Sequence, residues 1–337
     1  MTRVSFASAG ENTISRETLG QIVKGCAKAV PGPVTVRYDE PMYRHTTFKA
    51  GGPADLWVRP GKDIFPEYAA ALLKAAKEEG VPVFILGAGA NILVSDRGIR
   101  GIVLDTASWK GIGKREDRET PPEEGAGFSV RVCSGTSVDG LVDRLMIRGL
   151  SGLEFLAGMP GLVGGALWMN ARCYEKSLSD VLLETEILDE ELNRLRLPFK
   201  AEDFGYKKSP FQERKVLILS ARFAVTVRAA SKIRREIMEH RRDREEKGHY
   251  LYPSAGSAFK NNRAFGAPTG KIIDDLGLRG LRSGDAQVAP WHGNIFINTG
   301  RASAADIRSL MDEVARRVKE ERGFDLEPEI LFAGDWT

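Results

Sequence analysis

Three stretches of this chain hold residues whose types and spacing suit chemistry. In Tyr252-Pro253-Ser254-Ala255-Gly256-Ser257-Ala258-Phe259-Lys260-Asn261, one hydroxyl, one ammonium and one amide fall close together. Gly256 lets the backbone reach φ values that other residues resist, so Ser257 can present its hydroxyl from a tight turn. Ser257 is thus a candidate proton donor, although an ordinary Gly-Ser turn by itself explains the pair more readily. The second stretch, Gly87-Ala88-Gly89-Ala90-Asn91-Ile92, follows the apolar run Val81-Pro82-Val83-Phe84-Ile85-Leu86. A glycine turn after a buried strand brings backbone N–H groups to an anion such as a pyrophosphate. Ile92 stands where the dinucleotide fingerprint needs its third glycine, and no long helical pattern follows, so a nicotinamide-binding Rossmann domain is disfavoured. Another phosphate-cradling loop is the better reading, with a ligand-free turn as its alternative. The third stretch carries Gly152, Gly158, Gly161, Gly164 and Gly165. That density weakens any ordinary helix or strand and points to close backbone approach by a ligand or another element.

Composition narrows the class of protein around these residues. A chain of 337 residues with 42% hydrophobic content can bury a large core and divide into two or three domains. Its 49 basic and 46 acidic residues, net +3, are interleaved, which argues against a nucleic-acid binder. Cys26, Cys133 and Cys173 match neither a disulfide framework nor a zinc site, so reduced thiols in a cytoplasm and no metal are expected. The opening residues carry no apolar leader, and no run of 18 apolar residues suggests a membrane span.

The elements that must position these residues follow from periodicity. Helices are predicted at 15–30, 66–80, 138–148, 232–247, 270–276 and 303–322, the last opened by a Ser303/Asp306 capping arrangement. The charged helix at 232–247 reads as a solvated spacer between domains. Strands are predicted at 54–58, 81–86, 101–105, 128–133, within 180–198 and 216–228, at 295–298 and at 326–332. On the last of these, Glu327 and Glu329 would share a face, ordinarily as solvent-facing charges. The charged, Pro/Gly-rich stretch at 110–127 reads as an exposed loop without chemistry. Asp203-Phe204-Gly205-Tyr206-Lys207-Lys208-Ser209 reads as a basic, aromatic loop that a surface turn explains equally well.

Taken together, Thr46-Thr47-Phe48 before Gly51-Gly52-Pro53-Ala54, Gly87-Ala88-Gly89-Ala90-Asn91, Gly158-Met159-Pro160-Gly161 through Asn170-Ala171, Ser254 to Asn261, and Leu326-Glu327-Pro328-Glu329 stand in one order. In this the chain resembles, over about residues 40–335, the flavin-dependent UDP-N-acetylenolpyruvoylglucosamine reductases of bacterial peptidoglycan synthesis. The resemblance implies an α+β architecture: a two-subdomain FAD-binding fold of the vanillyl-alcohol-oxidase/PCMH type, followed by a smaller α+β substrate-binding domain. The expected division is an N-terminal helical segment at 1–40, FAD-binding subdomains at 41–107 and 108–228, and the substrate domain at 229–337. The segment 232–252 looks too short for the substrate-covering insertion of one branch, so the shorter branch is expected.

By the same resemblance, non-covalent FAD would lie against Thr47, Gly51, Gly52, Gly87, Ala88, Gly89, Ala90, Asn91, Ile92, Gly158, Pro160, Gly161, Gly164, Gly165 and Asn170. NADPH would be the co-substrate and a small-molecule UDP-sugar the substrate, with no nucleic-acid or membrane partner. Ser257 matches the family's proton donor. Glu329 matches its carboxyl group at the enolate, where donating a hydrogen bond requires that it hold a proton. The family's arginine is absent from Gly205-Tyr206-Lys207-Lys208-Ser209, so Lys207 is the expected replacement, without the two-pronged fork. Arg172, in Ala171-Arg172-Cys173-Tyr174 where the family has Ala-Gly-Ala-Tyr, is the alternative. Lys260, Asn261 and His292 are the expected substrate-binding residues. An FAD oxidase of an alcohol or sugar on the same scaffold, and a non-enzymatic regulatory nucleotide binder, are the competing readings.

Overall fold

Parallel pairing of apolar strands organises the first part of the chain. The computed structural model describes residues 14–113 and 127–337; the opening residues and the charged stretch 114–126 lie outside the described residues. Strands Val34–Pro41, Pro53–Pro60, Ile99–Asp105 and Val83–Leu86 form one sheet in that order. The first pair is antiparallel and the remaining pairs parallel. Trp57, Val58, Val103 and Leu104 are buried in it, as parallel strands require. Helices Arg16–Ala29 and Phe65–Glu78 cover one face, and Ser15 caps the first by accepting from Thr18 N–H at 3.0 Å.

A second, antiparallel sheet runs Arg194–Pro198, Leu182–Leu188, Leu217–Val227, Gly127–Cys133. Leu217 and Leu219 of its central strand reach into the core of the first sheet, which fixes the two against each other. The charged helix, Ala230–Glu246, is not a free spacer. Ile233 and Ile237, one turn apart, are both 1% exposed in the core of this second sheet. A two-residue stripe docks the helix while its other faces stay charged. The glycine-dense stretch also departs from expectation, because it contains the short helix Val163–Trp168. A Cβ on Gly164 would sit 2.9 Å from Ser134 Cβ, so glycine lets this helix close on the strand end beside it.

The third sheet orders Ser254–Ser257, Ile295–Asn298, Ala286–Val288 and Arg282–Ser283. Helix Ala304–Arg322 buries Ile307, Leu310, Met311, Val314 and Val318 against it, and the Ser303/Asp306 capping box is formed. Asp96, in the turn before Ile99–Asp105, accepts the N–H groups of Ala304 and Ala305 at 2.8 Å each. The final strand, Leu331–Ala333, leaves the third sheet and pairs in parallel with Ile92–Val94, directly after the Gly87–Asn91 turn. Glu327 and Glu329 precede this strand rather than sharing one of its faces. Among the described residues no helix is long and apolar enough to cross a membrane.

Candidate active site

All three sheets contribute to one cavity of about 2580 Å³. That exceeds the roughly 300–1,000 Å³ of a pocket for one small ligand, so two ligands, or one long one, fit. Its two ends are built differently.

At one end the wall is backbone. Gly87, Ala88, Gly89, Ala90, Asn91 and Ile92 line the cavity. None of the N–H groups of residues 87–91 donates a hydrogen bond to another described residue. Thr47 anchors the loop from behind, giving its N–H and its hydroxyl to Gly89 O at 3.1 and 3.3 Å. Gly89 has φ +62, and a Cβ there would meet His45 O at 2.1 Å, so no larger residue fits. Pro160, Gly161, Gly164 and Gly165 line the same cavity, with Gly161 close beside Ala90, and a Cβ on either Gly87 or Gly165 would meet open space. Ser134, which the sequence did not single out, also lines this wall, and its Oγ is buried without a partner. Unpaired N–H groups, side-chain-free surface and an orphaned hydroxyl are what a dinucleotide's phosphates and sugars would satisfy. FAD fits this end of the cavity.

Four expected cofactor residues lie off the wall and act on the frame instead. Gly51 packs on Val94, and Gly52 gives its N–H to Ser95 O at 2.8 Å while a Cβ would come within 1.9 Å of Asp96 O. Gly158 gives its N–H to Asp139 Oδ1 at 2.6 Å and accepts from Tyr250 Oη at 2.5 Å. Asn170, 2% exposed, donates from Nδ2 to Gly205 O at 2.9 Å and accepts from Ser179 N–H at 3.0 Å. It thereby braces the loop that carries Lys207.

At the other end the wall is made of side chains. Ser257 closes the strand Ser254–Ser257, whose register against Ile295–Asn298 slips by a bulge between Ser254 and Ser257. Gly256, at φ +75, supplies the left-handed turn. A bulge redirects the side chain that follows it, and Ser257 faces the cavity. Glu329 is held by its own N–H donating to Ala258 O at 2.8 Å, and its Oε1 lies 2.5 Å from Lys207 Nζ. Lys207 adopts φ +56, in a turn closed by two Gly205–Lys208 backbone bonds of 3.1 Å. A non-glycine residue there costs on the order of 1 kcal/mol or more, which the surrounding turn must offset. Arg172 lines the same cavity, but its guanidinium is taken by Glu175 at 2.7 Å and Ser177 at 3.3 Å.

The expected substrate residues divide. Lys260 lines the cavity with its ammonium paired to Glu327 Oε1 at 2.6 Å. Asn261 and His292 lie with Ser257 around a side pocket of about 410 Å³. Asn261 Oδ1 accepts from Thr269 N–H at 2.9 Å, and His292 Nδ1 accepts from Asn294 N–H at 3.0 Å. Sequence reasoning missed a third wall, where Arg244, Lys247, His249 and Tyr250 follow from the charged helix. Burial, with Arg244, His292 and Lys247 nearby, lowers His249 to a pKa of about 4, so it is neutral near pH 7. A charged helix end looks the same whether it faces solvent or a cleft, which is why its pattern gave no signal. Among the described residues no cluster of three or more His, Cys, Asp or Glu is placed to hold a metal ion.

Comparison with known proteins agrees with this geometry. The family profile "UDP-N-acetylenolpyruvoylglucosamine reductase, C-terminal domain" matches residues 248–333, and the profile "FAD binding domain" matches residues 66–193. The UDP-N-acetylenolpyruvoylglucosamine reductase of Treponema denticola is 41% identical over 90% of this chain and 94% of its own length. That of Borreliella burgdorferi is 38% identical over 87% and 93%. The crystal structure of the Thermus caldophilus UDP-N-acetylenolpyruvylglucosamine reductase superposes with a TM-score of 0.68 at 31% identity, covering 89% of this chain and 99% of that one.

Proposed function

The chain belongs to the UDP-N-acetylenolpyruvoylglucosamine reductase family, and on that premise we propose that it reduces UDP-N-acetylenolpyruvoylglucosamine to UDP-N-acetylmuramate with FAD as cofactor and NADPH as electron source. The observation that carries this reading is that Ser257 and the Glu329–Lys207 pair line the same cavity as a loop offering unpaired N–H groups.

Bound FAD supplies the hydride chemistry, accepting from NADPH and donating to the enolpyruvyl double bond. The N–H groups of residues 87–91 hold the cofactor's pyrophosphate, with Thr47 fixing the loop behind them. Hydride addition moves negative charge onto the substrate carboxylate as an enolate, and donors fixed beforehand stabilise it. Lys207 contributes a point positive charge, without the fork of an arginine. Its contact with Oε1 joins it to Glu329, whose carboxyl lines the cavity beside the enolate and fixes the ammonium there. Ser257 then gives its hydroxyl proton to the carbon beside the new C–H bond, and the serine oxygen is reprotonated from solvent.

Stopped-flow mixing tests the reading in two steps. NADPH should bleach the flavin of the purified protein, and the UDP-enolpyruvyl sugar should restore its colour. A reduced protein that is reoxidised by oxygen but not by the sugar would overturn it.

A further inference from the structure

Asn91 sits in the cofactor loop, yet its side chain does not face that way. Its Nδ2 donates to the backbone carbonyl of Glu329 at 3.0 Å, across 238 residues of sequence. Its own carbonyl accepts from Leu331 N–H at 3.0 Å. One residue thus grips the chain on both sides of Ile330, and the parallel pairing Leu331↔Ile92, Phe332↔Leu93 and Ala333↔Val94 continues from that grip. On the opposite side, Glu329 N–H donates to Ala258 O at 2.8 Å and Lys260 N–H to Glu327 O at 2.8 Å, next to Ser257. Glu329 is therefore suspended between the loop that meets the cofactor and the strand that presents the serine. Its backbone is fixed at both amide groups, while its carboxyl remains available to Lys207.

We propose that Asn91 is a positioning residue for substrate reduction: its side-chain amide sets where the Glu329 carboxyl can reach, and it couples the state of the cofactor loop to the enolate-facing end of the site. The inference rests on the role proposed for Glu329 and adds to it a separate cause. Loss of one donor to a peptide carbonyl would let the 327–330 segment shift by fractions of an ångström, and a preorganised donor loses much of its effect when misplaced by that much. Because coupling is reciprocal, anything that orders the 87–91 loop should also order Glu329.

The test compares Asn91→Asp, which keeps the shape but replaces the donor with an acceptor, and Asn91→Ala with the parent holoenzyme. Three quantities are measured: flavin affinity by fluorescence, the rates of flavin reduction by NADPH and of reoxidation by the UDP-enolpyruvyl sugar, and hydrogen exchange of the 327–331 peptide. We expect reoxidation to fall at least tenfold further than reduction, with 327–331 exchange faster by a similar factor. Equal losses in both half-reactions, or a loss confined to flavin affinity, would overturn the proposal by returning Asn91 to cofactor binding. Unchanged exchange at 327–331 would overturn it as well. Glu329→Ala separates the layers: if that variant reoxidises normally, the role of Glu329 fails, whereas a slow Glu329→Ala beside a normal Asn91→Asp sinks only the positioning role.

Discussion

The two ends of the cavity solve the same problem, presenting hydrogen-bond donors to a charged ligand, by opposite means. The 87–91 loop offers N–H groups beside the side-chain-poor surface of Gly161, Gly164 and Gly165, so its donors are fixed by the chain path alone. The Ser257, Lys207 and Glu329 end offers side-chain atoms, and each is held by backbone oddities: a bulge at Gly256, a left-handed lysine, and a glutamate pinned at its own N–H. A cofactor that stays bound suits a rigid backbone surface. Charge that appears only during reaction is met by donors fixed beforehand, and the proton that follows must come from a side chain that can give one.

If that division holds, substitutions at the two ends should fail in different measurements. The largest effect is expected for Ser257→Ala: reoxidation by the UDP-enolpyruvyl sugar should slow by about 10²–10⁴-fold, as loss of a general acid does, while reduction by NADPH stays near normal. Equal slowing of both steps would break the comparison. Lys207→Ala should cost about 10²-fold in the same reoxidation step, in line with removal of one oxyanion donor, and Lys207→Arg should keep or raise turnover. A Lys207→Ala variant of normal activity would remove this cation from the chemistry and shift attention to Arg172.

The backbone wall can be probed with glycines. Gly87→Val places methyl groups into open cavity, so titration should show flavin affinity weakened about tenfold or more with an unchanged melting temperature. Gly52→Ala, which collides with Asp96 O, should instead destabilise the fold by about 1–3 kcal/mol in chemical denaturation. A Gly52→Ala protein of normal stability that failed to hold flavin would return Gly52 to the cofactor surface.

The smallest effect belongs to His249. Its folded pKa of about 4 lies below the ordinary 6.5, so the unfolded chain takes the proton first and stability falls as pH drops from about 6.5 to 4. His249→Gln should lessen the fall in Tm across that window by roughly 2 °C. An identical pH slope in the variant would assign the loss to other groups.

Much of the glycine-rich cavity wall was legible because glycine is a signal in itself. The Gly87 to Asn91 and Gly161 to Gly165 clusters look wrong for ordinary strands or helices, and they are where the cavity is. The signal does not say which glycines face a ligand. Gly52 and Gly158 exclude a Cβ for the sake of neighbouring chain, and only coordinates separate the two cases. Ser257 was readable from its turn. Glu329 could be placed only by resemblance, since the pairing that brings it in joins Leu331–Ala333 to Ile92–Val94 across more than two hundred residues. Lys207 in a left-handed turn and the docked face of the charged helix carry no local mark either, because lysine ordinarily avoids that conformation and two isoleucines make a faint stripe.

That long-range pairing also has a consequence in time. Synthesis proceeds from residue 91 toward residue 329, and at about 5–20 residues per second the separation of 238 residues takes roughly 10–50 s. For that interval the nascent chain holds its glycine loop without the Glu329 peptide carbonyl that Asn91 will grip. The 87–91 loop is therefore made well before the segment that Asn91 will hold.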